Sequence, residues 1–126
     1  MKIKIVAVLL AAGLMSCESK TDIKLSKPIQ LYGTWKLISG TLIEKGDTLV
    51  TDYTQNVSFI KIINNTHFAF LHHDLTKGKN AIPVFTAGGG SYSLADSLYK
   101  EHLEYCSDRS WENNDFTFTI AIKNDT

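Results

Sequence analysis

A period of two in the apolar residues limits this chain more than any other feature. Phe116, Phe118, Ile120 and Ile122 alternate with Thr117, Thr119 and Ala121. In an extended strand that spacing gathers the apolar side chains on one face and the small or polar ones on the other. Leu98 to Cys106 repeats the pattern, with Tyr99, Glu101, Leu103 and Tyr105 on one face and Lys100, His102 and Glu104 on the opposite one. Val57 to Ile63 is rich in β-branched residues, and Thr66 to His73 places Phe68, Phe70 and His72 together. Asn64-Asn65 between those two runs reads as a tight hairpin. Thr34 to Ser39 is a shorter strand carrying Trp35 and Leu37, and Glu44-Lys45-Gly46-Asp47 links Leu42-Ile43 to Thr48-Leu49-Val50 in a second hairpin.

Glycines and short polar clusters punctuate the remainder. Gly88-Gly89-Gly90 reads as a β-turn ahead of Ser91-Tyr92-Ser93-Leu94, and Ala95-Asp96-Ser97 turns into the Leu98 strand. The one stretch with a helical cue is Ser107 to Asn114, where Ser107-Asp108 caps a single turn. The elements add up to seven or eight strands in consecutive hairpins. That is an all-β chain with an antiparallel up-and-down meander. Lys123 to Thr126 reads as a further turn with no strand after it. The apolar strand from Phe116 to Ile122 is then covered, left at the edge of an open barrel, or followed by residues beyond this sequence.

The first residues carry a different signal. Lys2 and Lys4 precede an apolar run from Ile5 to Met15. As a helix that run reaches about 16 Å, roughly half the hydrocarbon thickness of a bilayer. It is too short for a permanent span and fits the apolar region of a signal peptide. Leu14-Met15-Ser16-Cys17 resembles the lipobox of bacterial lipoproteins. The resemblance implies a signal peptide over residues 1–16, lipid on the mature N-terminal Cys17, and a location on the cell envelope, at the periplasmic or surface face of the outer membrane. Glu18 to Asp22 is polar without periodicity, Lys27-Pro28 breaks any helix, and residues 17–30 read as a flexible tether that carries residues 31–126 away from the bilayer. Removing residues 1–16 takes two of the thirteen basic residues and none of the thirteen acidic ones, leaving a net charge of −2. A slightly acidic domain is not a nucleic-acid binder. Cys106 is the only other cysteine, so a lipidated Cys17 leaves it as a free, half-buried filler rather than part of a disulfide.

Gly33-Thr34-Trp35 resembles the Gly-x-Trp opening of lipocalins, in which the Trp packs across one end of the barrel. Together with Gly88-Gly89-Gly90-Ser91-Tyr92-Ser93-Leu94, with Tyr99 to Tyr105 and with the lipobox, it resembles a group of lipocalin-like lipoproteins of Bacteroides-type bacteria. The likeness runs over about residues 31–123. It implies a lipocalin-like barrel, incomplete at its C-terminal end if relatives continue for one or two more strands. It implies a fold more directly than a function.

The residues that bear chemistry do not make an enzyme. No nucleophile elbow, His-Glu-x-x-His helix or phosphate loop is present, and Glu101 and Glu104 fall on opposite strand faces. A zinc ion needs three or four converging ligands. His67, His72, His73, Asp74, Glu101, His102 and Glu104 are of ligand type, yet His72 and His73 point to opposite faces. His67 and His73 share a face about 20 Å apart. The sequence therefore assigns no metal and no cofactor. Glu101 is the informative residue. If Tyr99, Leu103 and Tyr105 face inward, Glu101 is buried among them and needs a partner. Either it orients the polar group of a small hydrophobic ligand between the walls of Tyr99 and Tyr105, or it forms a salt bridge with Lys61 or Arg109. The two functions left open are ligand binding inside the barrel and docking of another envelope protein on the sheet surface.

Overall fold

The computed structural model describes residues 29–124 and 126; the signal peptide, Cys17 and most of the tether lie outside the described residues. Eight strands and one 3-10 turn form among them: β1 Gly33–Lys36, β2 Ser39–Glu44, β3 Asp47–Asp52, β4 Val57–Ile63, β5 His67–Asp74, β6 Phe85–Ala95, β7 Leu98–Cys106 and β8 Asn114–Thr119. The turn spans Arg109–Trp111, and the Asp108 side chain caps it by accepting from the Ser110 N–H at 3.2 Å. Six strands make one antiparallel sheet in the order β1-β4-β5-β6-β7-β8, and β2 with β3 makes a separate hairpin.

Local chemistry sets the turns. Lys45 (φ 50°) and Gly46 (φ 89°) are both left-handed at the β2–β3 tip, the requirement of a two-residue hairpin that follows the strand twist. The Asn64 side chain accepts from the N–H groups of Thr66 and His67 at 2.9 and 2.8 Å, which closes the β4–β5 turn. At the end of β5 the buried Asp74 carboxylate accepts from the backbone of Thr76, Gly78 and Val84 and from the Thr76 hydroxyl. One side chain thereby gathers both ends of the 75–84 loop.

Three expectations from the sequence are corrected. First, the meander holds only from β4 to β8. β1 pairs with β4, because the β2–β3 hairpin leaves the sheet and returns the chain alongside β1. Second, Gly88-Gly89-Gly90 is not a turn but the middle of the eleven-residue β6. A Cβ at Gly88 would lie 2.6 Å from the Phe70 ring, and one at Gly90 would lie 1.9 Å from the His102 carbonyl oxygen. The glycines let neighbouring groups occupy the space of side chains. Third, Tyr105 does not share a face with Tyr99, Glu101 and Leu103. Gly90 pairs with Leu103 while Gly89 pairs with Tyr105, so Glu104 is an extra residue on β7, a bulge that reverses the alternation. Cys106 turns inward and is buried, and Tyr105 turns outward, 67% exposed.

The sheet curls strongly without closing. Lys61 on β4 reaches Glu101 on β7, although β5 and β6 lie between them. Lys61 is in register with Phe70 and Gly88, whereas Glu101 is opposite Tyr92, four positions further along β6. On a flat sheet that diagonal would measure roughly 20 Å. The concave side collects Leu31, Ile63, Phe68, Tyr99, Leu103 and Cys106 as its buried apolar core. Trp35, Phe70, Tyr92, Leu94 and Phe116 pack partly buried around them, as do Ile120 and Ile122, which follow β8 without entering its ladder. Ile29, assigned to the tether by the sequence, also packs on this core. The Trp35 indole N–H donates to the Leu31 carbonyl at 2.8 Å and pins the incoming chain. Among the described residues β1 and β8 remain the two edges of the sheet.

Gly90→Ala is expected to destabilise the fold by about 3 kcal/mol, at the upper end for overpacking because the clash is with backbone; urea unfolding measures it, and a loss below about 1 kcal/mol would contradict the packing described. Asp74 gives a pH dependence. Its hydrogen bonds, first that from Gly78, hold the carboxyl far below its ordinary 3.8. A group depressed on folding stabilises above its unfolded value and ceases to do so as the pH falls below it. Asp74→Asn should therefore lower the melting temperature at neutral pH, and the gap from the parent should narrow as pH drops below 3.8.

Candidate functional site

The concave face carries one acid–base pair in an aromatic setting. Glu101, from the central part of β7, is buried, with its side chain 7% exposed, and accepts from the Lys61 ammonium, whose side chain is 31% exposed. Three rings surround that ammonium: Phe68 at 5.1 Å, Tyr99 at 5.8 Å and Phe118 at 5.9 Å from nitrogen to ring centre. Such faces attract a cation and replace part of the hydration it loses. Each ring comes from a different strand, β5, β7 and β8, and all reach the same point because the sheet is curled. Tyr92 completes the wall, its ring 5.2 Å from that of Tyr99, and its hydroxyl donates to the Asn64 carbonyl at 2.7 Å.

Tyr99 is the unusual member. The residue is 4% exposed, and its hydroxyl lies beside the Glu101 carboxylate. Burial, and then the neighbouring Glu101 carboxylate, pushes its pKa above the ordinary phenol value. The hydroxyl keeps its proton and remains a donor. Nε2 of His72 is buried without a hydrogen-bond partner. His72 stacks on Phe59 at 4.8 Å and meets Tyr53 edge-on at 5.8 Å, so the same concave face continues as an aromatic cluster toward the far end of β4 and β5.

The structure thus brings Tyr99, Glu101 and Leu103 to one place and excludes Tyr105. Of the two partners considered for Glu101, Lys61 takes the position, while Arg109 pairs with Glu112 at 2.7 Å on the opposite side. Gly33 and Trp35 lie at the start of β1 beside Ile63 and Lys61. Tyr92 is the site residue the sequence did not single out, and Phe68 and Phe118 read from it as core rather than pocket lining. The place of Tyr92 beside Leu94 in the alternation was the available signal.

The convex face has two open grooves. One, of about 590 Å³, has a floor of Ala69, Ala87 and Gly89 and sides that include His67, Tyr105 and Arg109. The other, of about 250 Å³, includes Ser91, Ser93, Lys100, His102 and Asp115. Register sets His67, Ser91, His102 and Asp115 side by side on consecutive strands, and His102 Nδ1 lies 2.7 Å from Asp115. Ser91 holds the Glu104 carboxyl below its usual range, with smaller contributions from His67 and His102. The Ser91 N–H donates to Glu104 Oε1 at 3.0 Å. No group of three or more His, Cys, Asp and Glu side chains among the described residues converges as metal ligands would.

No protein family, no functionally described protein and no solved structure matches this chain.

Removing one member of the acid–base pair should cost more than removing both, because a lone buried charge is left behind. Lys61→Met is expected to cost about 2 kcal/mol, less than a fully buried pair since its head is partly solvated, and adding Glu101→Leu should recover most of that loss. Denaturant unfolding of the single and double variants checks the order.

Proposed function

We propose that this chain is a lipid-anchored envelope lipoprotein whose curled sheet is a lipocalin-like domain binding a small hydrophobic ligand on its concave face, without catalysis. The observation that carries this reading is the concave face itself. It presents rings from four strands around a neutralised Lys61–Glu101 pair, with Tyr99 buried beside the carboxylate. Binding sites for apolar molecules combine such walls with a few fixed polar groups. The apolar leader ending in Leu14-Met15-Ser16-Cys17 supports the anchor, with acyl chains on Cys17 supplying membrane affinity.

A second reading has its own support. The β2–β3 hairpin exposes Leu42 (57%), Ile43 (73%), Leu49 (62%) and Val50 (63%). An isolated two-stranded hairpin with apolar residues outward is marginal in water. Docking of another envelope protein on this surface would cover them.

Native mass spectrometry of protein isolated from its own host is expected to show an adduct of a small apolar molecule, lost on denaturation. An apo mass, with no displacement of a bound fluorescent apolar dye by host lipid extract, would overturn the ligand reading. Crosslinks from a photoreactive residue at position 42 to one envelope protein would then favour docking. Cys17→Ser should abolish lipid labelling and release the chain from membranes; a variant still held there would contradict the anchor.

A further inference from the structure

We propose that the loop between β5 and β6, residues 75–84, seats on a lipid surface rich in anionic headgroups. From Leu75 to Phe85 the chain carries two lysines, Lys77 and Lys79, and no carboxylate. Neither lysine takes part in an ion pair among the described residues. Over the same stretch Leu75 is 56% exposed, Phe85 71% and Ile82 81%, the last being the most exposed large apolar side chain among the described residues. Single apolar residues in water are ordinary, but several gathered on one short segment mark a contact surface.

This exposure does not come from a loose loop. Asp74 Oδ1 accepts from the Thr76 N–H and hydroxyl and from the Gly78 N–H, while Oδ2 accepts from the Val84 N–H at 2.8 Å. Lys77 and Gly78 take the left-handed backbone that this turn requires, at φ 59° and 73°. The nearest carboxylate in sequence is therefore buried and engaged by the loop's own backbone, leaving both lysines to an outside anion. A bilayer interface takes that combination. Apolar side chains enter below the headgroups, and lysine stems follow them while the ammonium groups stay at the level of the phosphates. An anionic leaflet adds an attraction that salt screens. The inference rests on the Cys17 anchor as the device that keeps a bilayer near. The chain enters β1 beside Ile63, at the end of the sheet opposite this loop. Residues 17–28, fully extended, reach about 40 Å, more than the roughly 25 Å of the eight-residue β5, so the anchor permits the loop to face the membrane. An acidic protein surface offers similar charges, but the anchor holds only the bilayer within reach.

The test is the depth of a nitroxide attached at Ala81→Cys in the lipidated chain, next to an unaltered Ile82. The chain is placed on phosphatidylcholine vesicles with and without an equal part of phosphatidylglycerol. Cys106 is buried, and the parent chain treated with the same label gives the blank. Electron paramagnetic resonance reads collisions with oxygen, which enters lipid, and with a nickel chelate, which stays in water. With phosphatidylglycerol the label is expected to gain oxygen contact and lose chelate contact, while a label at Ser97→Cys, in the β6–β7 turn at the opposite end, stays in water. Lys77→Gln combined with Lys79→Gln, Ile82→Asn, and added salt should each return the label at position 81 toward water. A label that stays in water on anionic vesicles, while the chain remains bound to them, overturns the inference and leaves the anchor standing. Equal immersion without phosphatidylglycerol, or immersion kept after both lysines are replaced, overturns it as well. Shielding that requires added host envelope protein assigns the loop to a protein partner instead. A chain that carries no lipid and does not stay on either vesicle removes the anchor and this inference together.

Discussion

The contact between Lys61 and Glu101 depends on the curl of the sheet, which brings β4 and β7 together across β5 and β6. Both residues sit on the concave side, three strands apart and out of register. Neither charge is tolerable alone among Phe68, Tyr99 and Phe118, so the curl of the sheet and the neutrality of its interior are one condition. β6 makes the bend available. Gly88 yields its side-chain volume to the Phe70 ring, and Gly90 allows β7 to approach within bulge distance. With larger residues there, β5 and β7 would be held apart and the two charges would stay in solvent.

The bulge at Glu104 divides β7 into two halves with different duties. Up to Leu103 the strand lines the concave face. Beyond it, Cys106 fills the core and Tyr105 becomes one wall of the convex groove. Glu104 is not idle at this break: it accepts from the Ser91 N–H at 3.0 Å, a donor that the disrupted ladder no longer satisfies. The same backbone irregularity therefore shapes both faces of the sheet.

Much of this was legible in the sequence because local chemistry decided it. Alternation in Phe116–Phe118, in Phe68–Phe70–His72 and in Tyr99–Leu103 reports which side chains face inward, and the Asn64 and Lys45-Gly46 turns follow from side-chain acceptors and left-handed backbone. Lys61 was named as one partner of Glu101 from charge alone. Tyr105 was misplaced because a bulge is a relation between two strands, set here by Gly90 against the His102 carbonyl, and no pattern within β7 records it. The glycine run was misread for the same reason: three glycines suit a turn equally well until the Phe70 ring that needs their space is known. The pairing of β1 with β4 was hidden because it depends on where the β2–β3 hairpin goes, which its own residues do not state.

The free edges at β1 and β8 have a consequence of their own. In a closed barrel the girth is fixed by strand number and stagger, and every neighbour is bound to the next. Among the described residues no ladder joins the first strand of the sheet to the last, so side-chain packing rather than backbone hydrogen bonds sets the distance between these two edges. That distance can shift in small steps without breaking a backbone hydrogen bond of the sheet.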